Sequence, residues 1–119
     1  MSEDRRLTIT REATTGLEVI RLRGELDLTN IDALAAAIES ARASNVVLDL
    51  TLLLFVDSAG VRAIDAAHSQ LAHTGRTLLV VAPPASRAAW TFQIAGFADD
   101  FVLASLEDAT QRSGSSTLG

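Results

Sequence analysis

The chain contains no cysteine, no lysine, and few aromatics, which make up 4% of its 119 residues. Without cysteine it has no disulfide scaffold, thiol nucleophile or thiolate metal site, and thiols leave its redox compartment undecided. Long apolar runs are missing as well. Runs such as Leu52 to Val56 and Leu78 to Ala82 fall far short of the ~20 residues that span a bilayer. The polar opening Met1 to Arg6 is not followed by the apolar h-region of a secretory signal. The expectation is a cytoplasmic protein without membrane association. Basic charge is scarce too: 10 basic residues, all arginine, stand against 15 acidic ones for a net of −5. Apart from Arg5 and Arg6 the arginines are scattered singly, so the clustered basic surface that grips nucleic-acid phosphates is absent.

About half of the composition is apolar, at 48%, and a chain of this length buries one compact core. The expected organisation is a flexible start over 1–6, one domain over 7–112, and a frayed Ser/Gly-rich tail over 113–119 (SGSSTLG). Leu7 to Thr10 alternates as a strand does, Ala13 to Gly16 supplies a turn, and Leu17 to Arg23 continues as a second strand, which predicts a hairpin. Gly24-Glu25-Leu26-Asp27 is read as the break of that pattern. Thr29 or Asn30 can cap a first helix with an Ile31, Leu34, Ala35, Ile38 stripe, ending near Ala43. Val46 to Leu50 reads as a strand buried on both faces.

Asp57-Ser58-Ala59-Gly60 opens a second helix whose stripe is Val61, Ile64, Ala67 or His68, and Leu71, with Gly75 as its stop. Thr77 to Ala82 is the next buried strand, followed by Pro83-Pro84 and a third helix capped by Ser86 that stops at Gly96. A strand is expected around Phe101 to Leu103, and a last helix from Ser105 with Glu107 and Asp108 in its first turn, where carboxylates oppose the positive end of the helix dipole. Strands alternating with helices predict an α/β fold, a mixed sheet of about five strands with about four helices, antiparallel at its start and parallel in its middle.

The chemistry concentrates at Asp57 and Ser58. One or the other is expected to be the N-cap of the second helix, and a serine there sits on an exposed strand-to-helix turn whose unpaired N–H groups favour an added anion. An enzyme would need a base beside that serine. His68 and His73 lie ten and fifteen residues further along the same helix, ~15 and ~22 Å away at helical rise, so no triad forms within the monomer. The five-residue spacing of the pair does not place both on one face as a zinc motif does. No glycine-rich phosphate loop is present. The chain is therefore read as a non-enzyme with no cofactor and no metal.

The whole segment Asp49 to Gly60 (DLTLLLFVDSAG) resembles the signature of STAS domains, in particular the bacterial anti-sigma factor antagonists. Gly24-Glu25-Leu26-Asp27 is similar to that family's GELD-like turn, Gly75-Arg76-Thr77-Leu78 to its glycine before the fourth strand, and Ala95-Gly96-Phe97 to its step after the third helix. The resemblance implies a single STAS-like domain acting as a partner-switching regulator of transcription. Such an antagonist binds an anti-sigma factor serine kinase of the GHKL type when unphosphorylated and is released once the kinase modifies the serine after the aspartate; a phosphatase then resets it. Position by position, that serine falls on Ser58, the aspartate on Asp57 and the GELD aspartate on Asp27. The expected docking face comprises Asp27, Thr29, Asn30, Asp57, Ser58, Arg62 and Asp65, in a monomer or weak dimer. The alternative is a STAS scaffold that is not phosphorylated, in a stress-signalling complex or beside a lipid-transport ATPase.

Departures from the family pattern are also legible. Leu52 and Leu54 stand where small or polar residues are usual, and alternation turns some of these leucines outward, either as a buried strand, a dimer contact or a partner patch. Ala59 replaces a common second serine. Gly60 is read as a small residue that lets the helix approach the sheet. Trp90 and Phe92 point about 200° apart on a helical wheel, and a helix packed through Ala88 and Phe92 predicts that Trp90 is the exposed one.

Overall fold

The chain opens with two strands that pair with each other. Thr8–Thr14 (β1) and Leu17–Leu26 (β2) run antiparallel, with Thr8 opposite Arg23 and Thr14 opposite Leu17. The computed structural model describes residues 5–14, 16–94 and 102–118, with side chains to 112. The chain continues as Ile31–Ser40 (α1), Asn45–Val56 (β3), Ser58–His73 (α2), Thr77–Val81 (β4), Arg87–Ile94 (α3), Val102–Leu103 (β5) and Leu106–Leu118 (α4). The five strands form one sheet in the order β1-β2-β3-β4-β5, antiparallel at the first pair and parallel at the other three. This is the α/β architecture that the alternation of elements predicts.

The central strands carry the core. Ile20, Leu22, Leu26, Val46, Val47, Leu48, Leu50, Leu78 and Val80 are wholly buried, and each large aliphatic removed from water is worth about 1.5–3 kcal/mol. Four consecutive residues of β4, Leu78 to Val81, are buried, so this strand is covered on both faces, as parallel strands between helix layers are. Helices α2 and α4 both pack on it. At the β1 side the sheet is lighter and polar. Arg21 there pairs with Glu12 at 3.1 Å and reaches Asp49 at 3.6 Å, linking three adjacent strands. Glu18, 7% exposed, is compensated by the Arg11 guanidinium, whose Nε donates to Glu18 Oε2 at 2.7 Å and which also reaches Ser40 on α1.

Several expectations are corrected. The Gly24-to-Asp27 stretch does not break the strand; β2 runs on to Leu26. Its continuation depends on Gly24, which adopts φ +90°. A Cβ at Gly24 would lie 2.2 Å from the Arg6 carbonyl oxygen, because residues 5 and 6 pass directly alongside. Glu25 N–H donates to the Arg5 carbonyl at 3.1 Å, and the Arg5 and Glu25 side chains pair. Helix α1 stops at Ser40 rather than near Ala43, because Arg76 draws the following carbonyls toward β4: its Nε donates to Ala43 O at 3.1 Å and its NH2 to Ala41 O at 2.7 Å.

Strand β3 is longer than the Val46–Leu50 core and continues to Val56. Against β2 it carries two irregularities: three residues of β3 match two of β2 between Asp49 and Leu52, and two match one between Leu53 and Phe55. Each extra residue shifts the in-out alternation. Leu53 and Val56 therefore turn inward while Leu52, 53% exposed, and Phe55, 42% exposed, turn outward; Leu54 is half-buried. On α3 the expected face holds, with Trp90 57% exposed and Phe92 2%. Ser86 and Ser105 cap α3 and α4 through Ala89 N–H and Asp108 N–H. Helix α4 spans Leu106–Leu118. The expected Ala95-Gly96-Phe97 step and Phe101 lie outside the described residues.

Replacing Gly24 by alanine is expected to lower the unfolding free energy by about 2 kcal/mol or more, since it combines a left-handed backbone with a blocked Cβ. Gly16→Ala serves as the control: its φ is also positive but nothing lies within 4 Å of the added carbon, so the cost should be about 1 kcal/mol. Urea titration of both variants measures the difference, and equal costs would refute the contact with Arg6.

Candidate functional site

At the carboxyl ends of β2 and β3 the chain leaves the sheet twice, at Asp27 and at Asp57, and both exits lead into helices. Ligand and partner sites of open α/β sheets gather at such ends. The two exits are stapled together: Asp57 N–H donates to Leu26 O at 3.2 Å, and Asp57 Oδ2 accepts a long hydrogen bond from Leu28 N–H at 3.4 Å. The other oxygen, Oδ1, accepts from Gly60 N–H at 2.9 Å. Asp57 is thus the N-cap of α2, with extended backbone at φ −96° and ψ −178°. Of the two candidates for that role, Asp57 fills it, and Ser58 becomes the first helical residue.

Ser58 is exposed, and among the described residues its hydroxyl makes no hydrogen bond. Gly60 behind it is buried, and a Cβ there would fall 2.7 Å from Val56 Cγ2 and 3.1 Å from Leu26 Cδ2. The helix start is therefore pressed onto the sheet at that point, as its small size predicts, and Ser58 projects from a fixed platform.

The Asp27 exit is ordered from within. Asp27 Oδ1 accepts from Thr29 N–H at 2.9 Å and from Thr29 Oγ1 at 2.5 Å. Asn30 does not cap α1 with its side chain. Instead its Oδ1 accepts from Asp27 N–H at 3.0 Å and its Nδ2 donates to Glu25 O at 2.9 Å. Asn30 is consequently a brace of the loop rather than a freely presented contact, and Thr29 is exposed but bonded to Asp27. Leu28, 70% exposed, stands at the tip of this turn. Sequence reasoning passed over it, although one apolar residue between two turn-forming polar ones was a readable sign.

Arg62 is exposed one turn beyond Ser58, and Asp65 is half-buried. Asp27, Thr29, Asn30, Asp57 and Ser58 come together across the two exits, while Arg62 and Asp65 extend the surface along α2. The site presents carboxylates on both exits, two exposed hydroxyl residues of which Thr29 is bonded to Asp27, and a projecting leucine. His68, half-buried, and His73, whose Nδ1 lies 2.8 Å from Ser69 O, sit farther along the same continuous helix. No cluster of three or more His, Asp or Glu residues suited to a metal ion occurs among the described residues.

Comparison with known proteins adds the following. The family model described as STAS domain matches residues 8–111. An anti-sigma factor antagonist from Mycobacterium paratuberculosis is 26% identical, with 95% of this chain and 98% of that chain covered and a TM-score of 0.79. The anti-sigma factor antagonist SpoIIAA in its unphosphorylated form is 25% identical over 88% of this chain and 95% of that one, with a TM-score of 0.69. The Bacillus cell fate determinant SpoIIAA in its phosphorylated form is also 25% identical, over 88% and 98%, with a TM-score of 0.67. No curated protein sequence matches the chain.

Because both oxygens of Asp57 are engaged, Asp57→Ala is expected to cost about 1–2 kcal/mol of stability. Asp57→Asn keeps an acceptor at the cap and should cost less than about 1 kcal/mol. Chemical denaturation of the two variants tests this, and equal losses would show that capping is not what Asp57 contributes.

Proposed function

The chain belongs to the STAS domain family, and from that premise we propose that it is an anti-sigma factor antagonist switched by phosphorylation of Ser58. The observation that carries the reading is the division of labour at the start of α2. Asp57 caps the helix, so the exposed Ser58 hydroxyl has no structural duty and is available to a kinase. In the proposed cycle the unmodified protein docks on a GHKL-type anti-sigma factor serine kinase and so frees the sigma factor. The kinase transfers the terminal phosphoryl group of ATP to Ser58 Oγ, the hydroxyl proton leaves, ADP departs, and the antagonist dissociates. A phosphatase hydrolyses the phosphoserine to restore the binding form.

The electrostatics support release. A phosphate adds about −1.5 to −2 charges beside the Asp57 and Asp27 carboxylates on a chain already at −5. Near-surface repulsion from an acidic partner patch then amounts to a few kcal/mol, and each 1.4 kcal/mol or so is tenfold in affinity. The helix N-terminus tolerates the added anion, so the fold persists while docking fails. The proposed docking face is Asp27, Thr29, Asp57, Ser58, Arg62 and Asp65, with Asn30 as the internal brace and Leu28 as an apolar contact. The protein is proposed to act in the cytoplasm as a non-enzyme. No described helix is long and apolar enough to cross a membrane.

Ser58→Ala is expected to abolish phosphorylation, keep partner binding and leave stability within about 0.5 kcal/mol, since the cap belongs to Asp57. Ser58→Asp carries one charge and two oxygens and should weaken binding partially; phosphoserine should weaken it most. Calorimetric titration of the four forms against the cognate kinase, without hydrolysable nucleotide, gives the order, and mass mapping after incubation with kinase and ATP locates the phosphate. Equal affinities of modified and unmodified protein, or a phosphate on Ser69 or Ser86, would overturn the mechanism.

A further inference from the structure

The side of α2 turned toward α1 plays no part in the switch. Between these helices runs an open groove of about 460 Å³. Small side chains, Ala35 of α1 and Ala63 and Ala66 of α2, line it together with Leu34, Ile38 and Leu71. At 100° per residue, Ala63, Ala66 and Gln70 lie roughly 110° around α2 from Ser58, Arg62 and Asp65. A molecule in the groove would leave the phosphorylation face free.

The α1 margin of the groove carries two carboxylates. Asp32 and Glu39 of α1 both line it and are exposed. They stand seven residues apart, two turns along one side of the helix, and neither has an ion-pair or hydrogen-bond partner among the described residues. Glu39 is in addition placed against its own helix. It lies in the last turn of α1, which holds no basic residue, where the dipole disfavours a carboxylate. Arg76 lines the groove too, so the lining carries two carboxylates and one guanidinium; the guanidinium is bonded to the carbonyls of Ala41 and Ala43 and pairs with neither carboxylate.

We infer that this groove receives an amphipathic helix of a partner protein, one that turns apolar side chains to the alanine-lined floor and carries two basic residues seven apart to pair with Asp32 and Glu39. Alanines let a third helix approach to interaxial distances of about 8–10 Å. The stretch of α2 from Ala63 to Thr74 that lines the groove accommodates about three helical turns, ~16 Å. Anionic membranes and nucleic acids are repelled by the acidic margin and by the net charge of −5. A second copy of the chain does not fit either: it has no lysine, and no two of its arginines are seven residues apart. This surface is independent of the Ser58 reading.

The test uses the full chain and two synthetic amphipathic helices that share a leucine-alanine face, one with lysines seven residues apart at its margin and one with glutamates in their place. In calorimetric titration the lysine peptide is expected to bind the wild type at least tenfold more tightly than the glutamate peptide. The double variant Asp32→Lys, Glu39→Lys should reverse that preference, and Ala66→Trp, at an exposed position, should abolish binding of both. Ser58→Asp should change the lysine-peptide affinity less than twofold, which separates this surface from the switch. Circular dichroism confirms that each variant is folded, and the surface charge reversal provides the decisive comparison if Ala66→Trp is not. Absence of lysine-peptide binding, equal binding of the two peptides, or affinity indifferent to the charge reversal would overturn the proposal. So would a dimer in sedimentation that Ala66→Trp dissociates, since a second copy would then be the occupant.

Discussion

Asp57 bonds to both sides of the gap at the carboxyl end of the β2–β3 ladder, and the functional end of the molecule takes its shape from that. Its backbone N–H continues the ladder onto Leu26, one carboxylate oxygen holds Leu28 N–H of the opposite exit, and the other caps α2 at Gly60. A neutral side chain that only capped would leave the Asp27 turn untethered. A charged acceptor serving two loops fixes their relative position and favours the helix through its dipole. The position of Ser58 is a consequence: the residue after a capped, sheet-docked aspartate begins the helix and faces outward.

Helix α2 serves three surroundings at once, and its composition reflects this. Gly60, Val61, Ile64, Ala67 and Leu71 are buried; Ser58 and Arg62 face solvent on one side; and alanines with Gln70 face α1 on another. The core stripe supplies the stability that lets the other two sides be chosen for recognition, because exposed substitutions there cost little. Sharing one rigid helix also sets the distance between the proposed phosphorylation site and the groove, so events at one side need not deform the other.

The structure departs from the sequence-based expectations where the outcome depends on a distant neighbour. Gly24-Glu25-Leu26 reads as a break because glycine interrupts a strand pattern, yet here glycine is what allows residues 5 and 6 to lie against the strand. Asn30 has the composition of a cap but its amide is taken by Asp27 and Glu25. The Leu52-to-Val56 run has no visible register, and the two irregularities against β2 decide which members turn outward.

Two copies of one tripeptide show where the boundary lies. Asp27-Leu28-Thr29 and Asp49-Leu50-Thr51 form the same local turn, each aspartate Oδ1 accepting from the threonine N–H two residues on, at 2.9 and 3.0 Å, and from its hydroxyl. The first ends a strand and exposes its leucine at 70%; the second sits within β3 and buries its leucine completely. By itself the sequence determined what short-range chemistry controls: the order of strands and helices, the inward stripes, the serine caps of α3 and α4, and the exposed Trp90 face. The tertiary structure alone decided how far β2 and β3 extend, which of Asp57 and Ser58 caps α2, and where a groove opens between α1 and α2. Those outcomes rest on contacts between residues far apart in the chain, and local propensity carries no record of them.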